Sequence, residues 1–436
     1  MRLYQAGRSR TLSGGVRLGY AAFGLALAAC GATPATSGGT GGAGASHGSG
    51  GATGAGGDTH GRRLGAGGPF LPLLPGRPYA NCAITSVASA ATASAIQTAY
   101  AAWKSSTVTA NGAGGNLRVQ RGSANGADTV SEGIGYGMIA AVYLNDRATF
   151  DGLWAYAQAH FDDRGLMNWH ITGAGAIASD GAGSASDGDL DIIWALIMAS
   201  DQWATSDYLN GAGALAMLDA MLANSFAGDG TLKPGNNWGG TQLTNPSYFA
   251  PAYFRVFADI TDNTQWITPI LDRGYAILGN VSGTNGLVPD WTNTSSVVNQ
   301  GFLTSMGTTG GTTTWNNSTY GYDATRTPWR IGLDYCLNGE VRAKTYLMKI
   351  GAFFNGITAP NIGDGYALSG SQTSGNKNMA FIGPAGVAGM VGFPALVDGA
   401  FNYGMSGQGD QSYFPSSLRV LTMLTMSGNF VDYTKP

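Results

Sequence analysis

The stretch 184-SASDGDLDIIWALIMASDQW-203 decides the fold, because it joins a group of acidic residues to a long apolar helix. Asp187, Asp189 and Asp191 stand at alternate positions, and apolar side chains then recur at helical spacing. The acids should therefore lie near a helix N-terminus, where unpaired backbone N–H groups and the helix dipole favour negative charge. Such a carboxylate is suited to chemistry, although Ser186 and Asp189 also match a capping box that would only start the helix.

Apolar runs with helical spacing recur along the chain, and segments rich in glycine and asparagine separate them. Alternating strand patterns are few. The predicted helical runs are Ile84–Trp103, Ile134–Leu144, Leu190–Trp203, Ala212–Phe226, Ala250–Ile260, Pro328–Leu337, Val341–Phe354 and Leu418–Met426. We therefore expect an all-α domain with many helices, long loops and no fixed-period repeat.

The composition excludes several classes of function. Charged residues are only 11% of the chain and the formal net charge is −3, so the basic surface that nucleic acid requires is missing. Three cysteines and four histidines are present, and two of the histidines fall in a glycine-rich stretch. A metal centre, a serine–histidine nucleophile or a cofactor is therefore not expected. Cys82 and Cys336 could pair in an oxidising compartment, but the sequence leaves that open.

The first 68 residues predict a targeting signal and a tether. Residues 1–30 combine arginines with a short apolar run that ends in Leu27-Ala28-Ala29-Cys30, which resembles a bacterial lipoprotein signal with a lipidated cysteine. Residues 31–68 are glycine-rich and predict a disordered linker, whereas residues 69–436 show no second linker and predict one domain. We expect a secreted protein, lipid-anchored at the bacterial cell envelope in the periplasm or at the cell surface. An ordinary signal peptide or an unstructured leader fits the same residues.

Two further acidic sites precede predicted helices. Glu132 comes before a helix with three closely spaced glycines, which are costly unless the helix end packs closely against a ligand or another backbone. Asp323 and Arg326 lie just before a helix start at Thr327 and Pro328, where the arginine would keep the carboxylate ionised. A capping glutamate and a surface ion pair are the structural alternatives at these two sites.

Aromatic residues accompany the acids on predicted loops. Tyr and Trp rings combine an apolar face with a polar edge, which suits stacking on sugar rings as well as ordinary packing in the core. The candidates are Trp169, Trp238 and Tyr248.

Five motifs together resemble family 8 of the glycoside hydrolases, and they occur in that family's order. They are SEGIGYGM at 131–138, ASDGDLDI at 185–192, NPSYFAPAYFRVFA at 245–258, GLVPDW at 286–291 and YDATRTPWR at 322–330. The resemblance implies an (α/α)6 barrel of six inner and six outer helices with a long substrate cleft. It also implies an inverting enzyme that acts on β-1,4-linked polysaccharides.

Matched motif by motif, the resemblance makes Glu132 the general acid and Asp323 the general base. It makes Asp189 the carboxylate that holds the sugar at the cleavage subsite, and Arg326 the arginine beside the base. The residues matching the cleft aromatics are Trp169, Trp238 and Tyr248. Inversion needs one protonated carboxyl and one carboxylate about 6.5–9.5 Å apart, so we expect the pKa of Glu132 to be raised and Asp323 to stay ionised.

The expected function is endo-acting hydrolysis of cellulose or a related β-glucan by a monomer. A β-1,4-xylanase or a chitosanase of the same family is the first alternative, because one cleft scaffold serves several polysaccharide backbones. A non-catalytic polysaccharide-binding protein is another alternative, and the presence of all three candidate carboxylates argues against it. A polysaccharide lyase would need a base that works near neutral pH.

Overall fold

Helices that are buried along their whole length alternate in the chain with helices that bury only one face. The computed structural model describes residues 78–294, 319–409 and 412–435, so the predicted leader, the tether and Cys30 lie outside the described residues. The twelve α-helices of the described part are α1 (Ser89–Thr107), α2 (Ser131–Tyr143), α3 (Arg147–Ala159), α4 (Ser186–Gln202), α5 (Ala214–Asn224), α6 (Pro251–Thr261), α7 (Asp272–Val281), α8 (Thr327–Asn338), α9 (Val341–Ile357), α10 (Met379–Gly389), α11 (Pro394–Ser406) and α12 (Tyr413–Met426).

The even-numbered helices form a closed inner ring. Every residue of α2, α4, α10 and α12 is buried, as are most residues of α6 and α8. Helix α2 packs on α4, α6 on α8, α8 on α10 and α10 on α12, and α12 returns to α2. Trp194 of α4 stacks on Tyr253 of α6 with ring centroids 4.2 Å apart. The odd-numbered helices lie outside this ring, which confirms the expected (α/α)6 barrel.

Helices α2 and α4 approach closely because glycines stand where they cross. A Cβ atom on Gly135 would lie 2.5 Å from the Cβ of Asp191, and one on Gly188 would overlap Ser131. A larger residue at either position would push the two backbones apart. The glycine-rich start of α2 therefore packs against another backbone, one of the two reasons expected for its composition.

Each of the eight predicted runs contains a helix, although the run Ile84–Trp103 begins five residues before α1, and four helices were not predicted. These are α3, α7, α10 and α11. Helix α10 has the sequence MAFIGPAGVAG, which is apolar on all sides and contains Pro384. A helix that is buried all round has no polar face, so its sequence shows no helical period.

Three short antiparallel pairs join loops at the ends of the barrel. They are β1 (Val108–Thr109) with β2 (Arg118–Val119), β3 (Thr129–Val130) with β4 (His170–Ile171), and β5 (Thr319–Tyr320) with β6 (Tyr366–Ala367). The β3–β4 pair leads directly into α2, and the backbone N–H of Ser131 donates to the carbonyl of Trp169 at 2.9 Å. This pairing places the loop that carries Trp169 beside Glu132.

A disulfide joins Cys82 to Cys336, with their Cα atoms 5.1 Å apart. It ties the segment before α1 to the buried end of α8, 254 residues along the chain. The pairing that the sequence left open is therefore present. None of the helices in the described residues is long and apolar enough to cross a lipid bilayer.

Candidate active site

Arg326 lies at the centre of a buried cluster of three carboxyl groups. Its Nη1 donates to Oε2 of Glu132 at 2.6 Å and to Oδ2 of Asp187 at 2.7 Å. Its Nη2 donates to Oδ1 of Asp323 at 3.1 Å. The arginine is only 1% exposed. A planar guanidinium can serve several acceptors at once, so this one side chain fixes the three carboxyl groups relative to one another.

The cluster forms where the N-terminal ends of inner helices meet. Glu132 and Asp187 are the second residues of α2 and α4, and Asp323 and Arg326 flank the short turn that leads into α8. The residues that precede α2 and α4, Val130 and Ala185, make no side-chain capping bond. Both proposed capping boxes are therefore wrong, and Glu132 contacts the cluster instead of the backbone of its own helix. The surface ion pair considered for Asp323 is also wrong, because both partners are buried.

Asp189 does not join this cluster, which corrects the expectation from the sequence. Its side chain is fully buried, and its Oδ1 accepts the backbone N–H of Met167 at 3.3 Å. Burial raises the pKa of Asp189 well above its ordinary value. Residues two apart on a helix point to nearly opposite sides, so Asp187 and Asp189 cannot both face Arg326. The third carboxyl group of the cluster is Asp187.

The surroundings of Glu132 and Asp323 set different proton affinities. Burial raises the pKa of Glu132 to about 7; Arg326 opposes this shift and the charge of Asp187 adds to it. Burial also raises the pKa of Asp323, but only to about 6, with Arg326 opposing and Asp187 adding in the same way. Between these values Glu132 carries a proton and Asp323 is ionised. This is the pairing that a general acid and a general base require.

Two neighbours that were not predicted also hold the two carboxyl groups. The Tyr413 hydroxyl donates to Oε1 of Glu132 at 2.9 Å, and Nε1 of Trp291 donates to Oδ2 of Asp323 at 3.1 Å. The side chain of Asn245 lies close enough to Asp323 to lower the pKa of that carboxyl group. Trp291 and Asn245 stand inside motifs quoted above, so position in a motif was the available signal. Tyr413 contacts Glu132 across 281 residues, and no local pattern marks it.

The candidate aromatic residues differ in their exposure. Trp169 and Trp238 are partly exposed, as a sugar-stacking residue must be. Tyr248 is 0% exposed, and its ring lies 5.1 Å from the guanidinium carbon of Arg326. A fully buried ring offers no open face to a sugar, so the expected stacking role of Tyr248 is wrong. Its ring instead packs against the Arg326 guanidinium in a cation–π contact.

A hydrogen bond and a ring contact hold the side chain of Trp169 in place. The indole Nε1 donates to the carbonyl of Asp180 at 2.6 Å, and the ring centroid is 4.9 Å from that of His170. His170 in turn bonds Oδ2 of Asp128 at 2.8 Å and Oδ1 of Asp180 at 2.6 Å. Burial alone would lower the pKa of His170, but the two aspartates outweigh it and raise the pKa. With one ring nitrogen on each aspartate, the imidazole links the Trp169 loop to the segment before α2.

Activity should be confined to a narrow pH range. Asp323 must be ionised, so kcat/KM should fall below its pKa of about 6; Glu132 must be protonated, so kcat/KM should fall above its pKa of about 7. A pH profile of kcat/KM measures these groups in the free enzyme. A rate that stays constant well above the upper value would contradict the role of Glu132 as the acid.

The positive charge among the three carboxyl groups comes from Arg326. Among the residues that the structure describes, no three His, Cys, Asp or Glu side chains are grouped so that they could hold a metal ion. The arrangement supplies a proton donor, a proton acceptor and a further negative charge, all within hydrogen-bond reach of one guanidinium. Such a site can cleave a bond between two sugars by acid–base catalysis.

Comparison with known proteins supports this interpretation. The model of glycosyl hydrolases family 8 matches residues 71–428. Endoglucanase A of Acetivibrio thermocellus is 40% identical in an alignment of 347 positions that covers 75% of this chain and 68% of that protein. A beta-glucanase of Niallia circulans is 30% identical in an alignment of 367 positions that covers 78% of this chain and 86% of that protein.

Solved structures share the fold. The apo structure of a beta-1,3-1,4-glucanase from Paenibacillus sp. X4 has a TM-score of 0.72 at 27% identity and covers 82% of this chain and 99% of its own. A cold-adapted family 8 xylanase has a TM-score of 0.61 at 23% identity, covers 78% of this chain and 92% of its own, and shares the fold alone. The family and the enzyme class expected from the five motifs are confirmed. The chain belongs to glycosyl hydrolases family 8 and is a glycoside hydrolase.

Proposed function

We propose that this enzyme hydrolyses internal β-1,4-glucosidic bonds of cellulose or a related β-glucan with inversion of configuration. The observation that carries the proposal is the pair Glu132 and Asp323 on one guanidinium, with the higher pKa on Glu132. The relatives named endoglucanase and beta-glucanase support the choice of a glucan. Trp169 and Trp238, both partly exposed, are the residues that we assign to sugar stacking.

We assign one step of the reaction to each group. Glu132 gives its proton to the glycosidic oxygen as the bond to the leaving sugar breaks. Asp323 removes a proton from the water that attacks the opposite face of the ring. Arg326 orients both groups, and Asp187 faces the positive charge that develops on the sugar. Asp187 therefore takes the role that the sequence suggested for Asp189.

Replacing Asp187 should have a far larger effect than replacing Asp189. Asp187→Asn should lower kcat by about 10²-fold, the loss expected for one preorganised electrostatic group. Because the charge of Asp187 raises the pKa of both Glu132 and Asp323, the whole pH profile should also move to lower pH. Asp189→Asn is the matched control, since asparagine can still accept the N–H of Met167. Equal losses in the two variants would reverse this assignment.

The substrate is tested by reducing-end release from carboxymethylcellulose, mixed-linkage β-glucan, xylan and chitosan, measured beside Asp323→Ala. Activity on glucan that collapses in the variant supports the proposal. Preference for xylan or chitosan would keep the acid–base pair and change the substrate. Binding without turnover on all four would favour a non-catalytic protein. Proton NMR of the first product formed separates inversion, which gives the α-anomer from a β-linked chain, from retention.

We also propose that the enzyme is secreted, acts as a monomer and is anchored to the bacterial cell envelope by a lipid on Cys30. The arginines and the short apolar run before Cys30 support the signal, and the glycine-rich tether would hold the barrel away from the membrane. The Cys82–Cys336 disulfide fits an oxidising compartment. Cys30→Ala should release the protein from membranes into the soluble fraction. Unchanged membrane association would contradict the anchor.

A further inference from the structure

Asp290 is a buried carboxyl group that the mechanism above does not use. It is 8% exposed and lies in the motif GLVPDW, one residue before Trp291. Its Oδ1 accepts the backbone N–H of Gly321 at 3.0 Å and that of Ala324 at 2.8 Å. Tyr322 and Asp323 lie between these two donors in the chain. One oxygen atom of Asp290 is therefore hydrogen-bonded to both ends of the turn that carries the base.

The neighbouring backbone leaves this contact little freedom. The N–H of Asp290 donates to the carbonyl of Thr319 at 3.1 Å, which fixes the 290–291 segment beside the turn. A Cβ atom on Gly321 would overlap Oδ2 of Asp290, so only glycine permits the approach. Trp291 then donates to Oδ2 of Asp323. The dipeptide Asp290-Trp291 therefore holds the base by its backbone and by its carboxylate.

We propose that Asp290 is a positioning residue for the general base: its carboxyl oxygen fixes the 321–324 turn so that Asp323 points at the attacking water. The inference rests on the proposed role of Asp323. Burial raises the pKa of Asp290 well above its ordinary value, and the charge of Asp323 adds to this shift. Asparagine is the closest replacement, because it keeps one side-chain oxygen that can accept from both backbone N–H groups.

The test compares Asp290→Asn with Asp290→Ala in the full-length enzyme on soluble β-glucan. Asparagine keeps the oxygen that accepts both N–H groups, so kcat and the acid limb of the pH profile should stay close to those of the native enzyme. Alanine removes the acceptor, so kcat should fall by about 10- to 100-fold with KM changed less than about two-fold, as expected for a displaced catalytic group. If Asp290→Ala does not fold, Gly321→Ala is the second variant. Its methyl group would displace the Asp290 carboxyl group, so it should show the same loss of kcat.

A double variant separates positioning from a general loss of structure. If Asp290 acts through Asp323, then Asp290→Ala should add no further loss of kcat in an Asp323→Ala background. Additive losses, or an asparagine variant as impaired as the alanine variant, would overturn the proposal. Failure of the proposed function is distinguishable, because Asp323→Ala alone would then leave kcat unchanged.

Discussion

Glu132→Gln should lower kcat on β-glucan by about 10²–10⁴-fold, the usual contribution of a general acid. Glutamine fills the same volume; its amide oxygen can accept from Arg326 and its NH2 can donate to the Tyr413 hydroxyl, so the cluster should keep its shape. It has no proton to give to the leaving oxygen. Substrate binding should therefore stay intact, as measured by affinity electrophoresis or calorimetry with a cello-oligosaccharide.

The leaving group provides an internal control for this variant. Dinitrophenyl β-cellobioside releases dinitrophenolate, which is stable enough to leave without a proton. Hydrolysis of this substrate should therefore be much less impaired in Glu132→Gln than hydrolysis of the natural polymer. Asp323→Asn should instead impair both substrates to a similar degree, because water must be activated in each case. Equal impairment of both substrates by Glu132→Gln would show that Glu132 is not the acid.

Arg326→Ala should cost about 3–5 kcal/mol of stability in addition to activity, because it leaves buried carboxyl groups without their cation. Without the cation, the charge of Asp187 should raise the pKa of Asp323 further and remove the ionised base. Arg326→Lys keeps the charge but lacks the planar group that serves Glu132, Asp187 and Asp323 together, so it should regain stability more than activity.

The measurement for Arg326 is thermal unfolding followed by circular dichroism, paired with kcat on soluble glucan. Arg164→Ala is the matched control, because Arg164 is 39% exposed and pairs with Asp163, whose side chain is 85% exposed. Exposed ion pairs contribute about 0–1 kcal/mol, so this variant should unfold close to the native temperature. An Arg326→Ala protein of native stability would mean that the carboxyl groups find another partner.

Glu132, Asp323 and Arg326 could be predicted because each stands in a motif at or just before the start of a helix, and the structure brings all three together. The third carboxyl group was misassigned by two residues. Helical phase held the missing signal, since Asp187 and Asp191 are four residues apart, as are Arg326 and Arg330. The structure pairs Asp187 with Arg326 and Asp191 with Arg330, so both acids face α8 and Asp189 faces away.

The remaining contacts depend on the barrel and not on local sequence. Tyr413 reaches Glu132 only because α12 closes the ring against α2. Tyr248 matched a cleft aromatic by motif, but its burial follows from how its turn packs against α7 and α8. Helix α10 was missed for a related reason: its apolar surroundings on every side are a property of the ring, and its own residues show no polar face.

The sharing of one guanidinium has an electrostatic consequence for inhibitors. When Glu132 carries its proton, Asp187 and Asp323 face Arg326 alone, and the pocket keeps an excess of one negative charge. The substrate sugar is neutral and is stabilised little by this negative charge, whereas the oxocarbenium-like ring of the transition state is positively charged. Sugar mimics with a ring nitrogen that protonates should therefore compete better than neutral sugars of the same shape, and their advantage should disappear in Asp187→Asn.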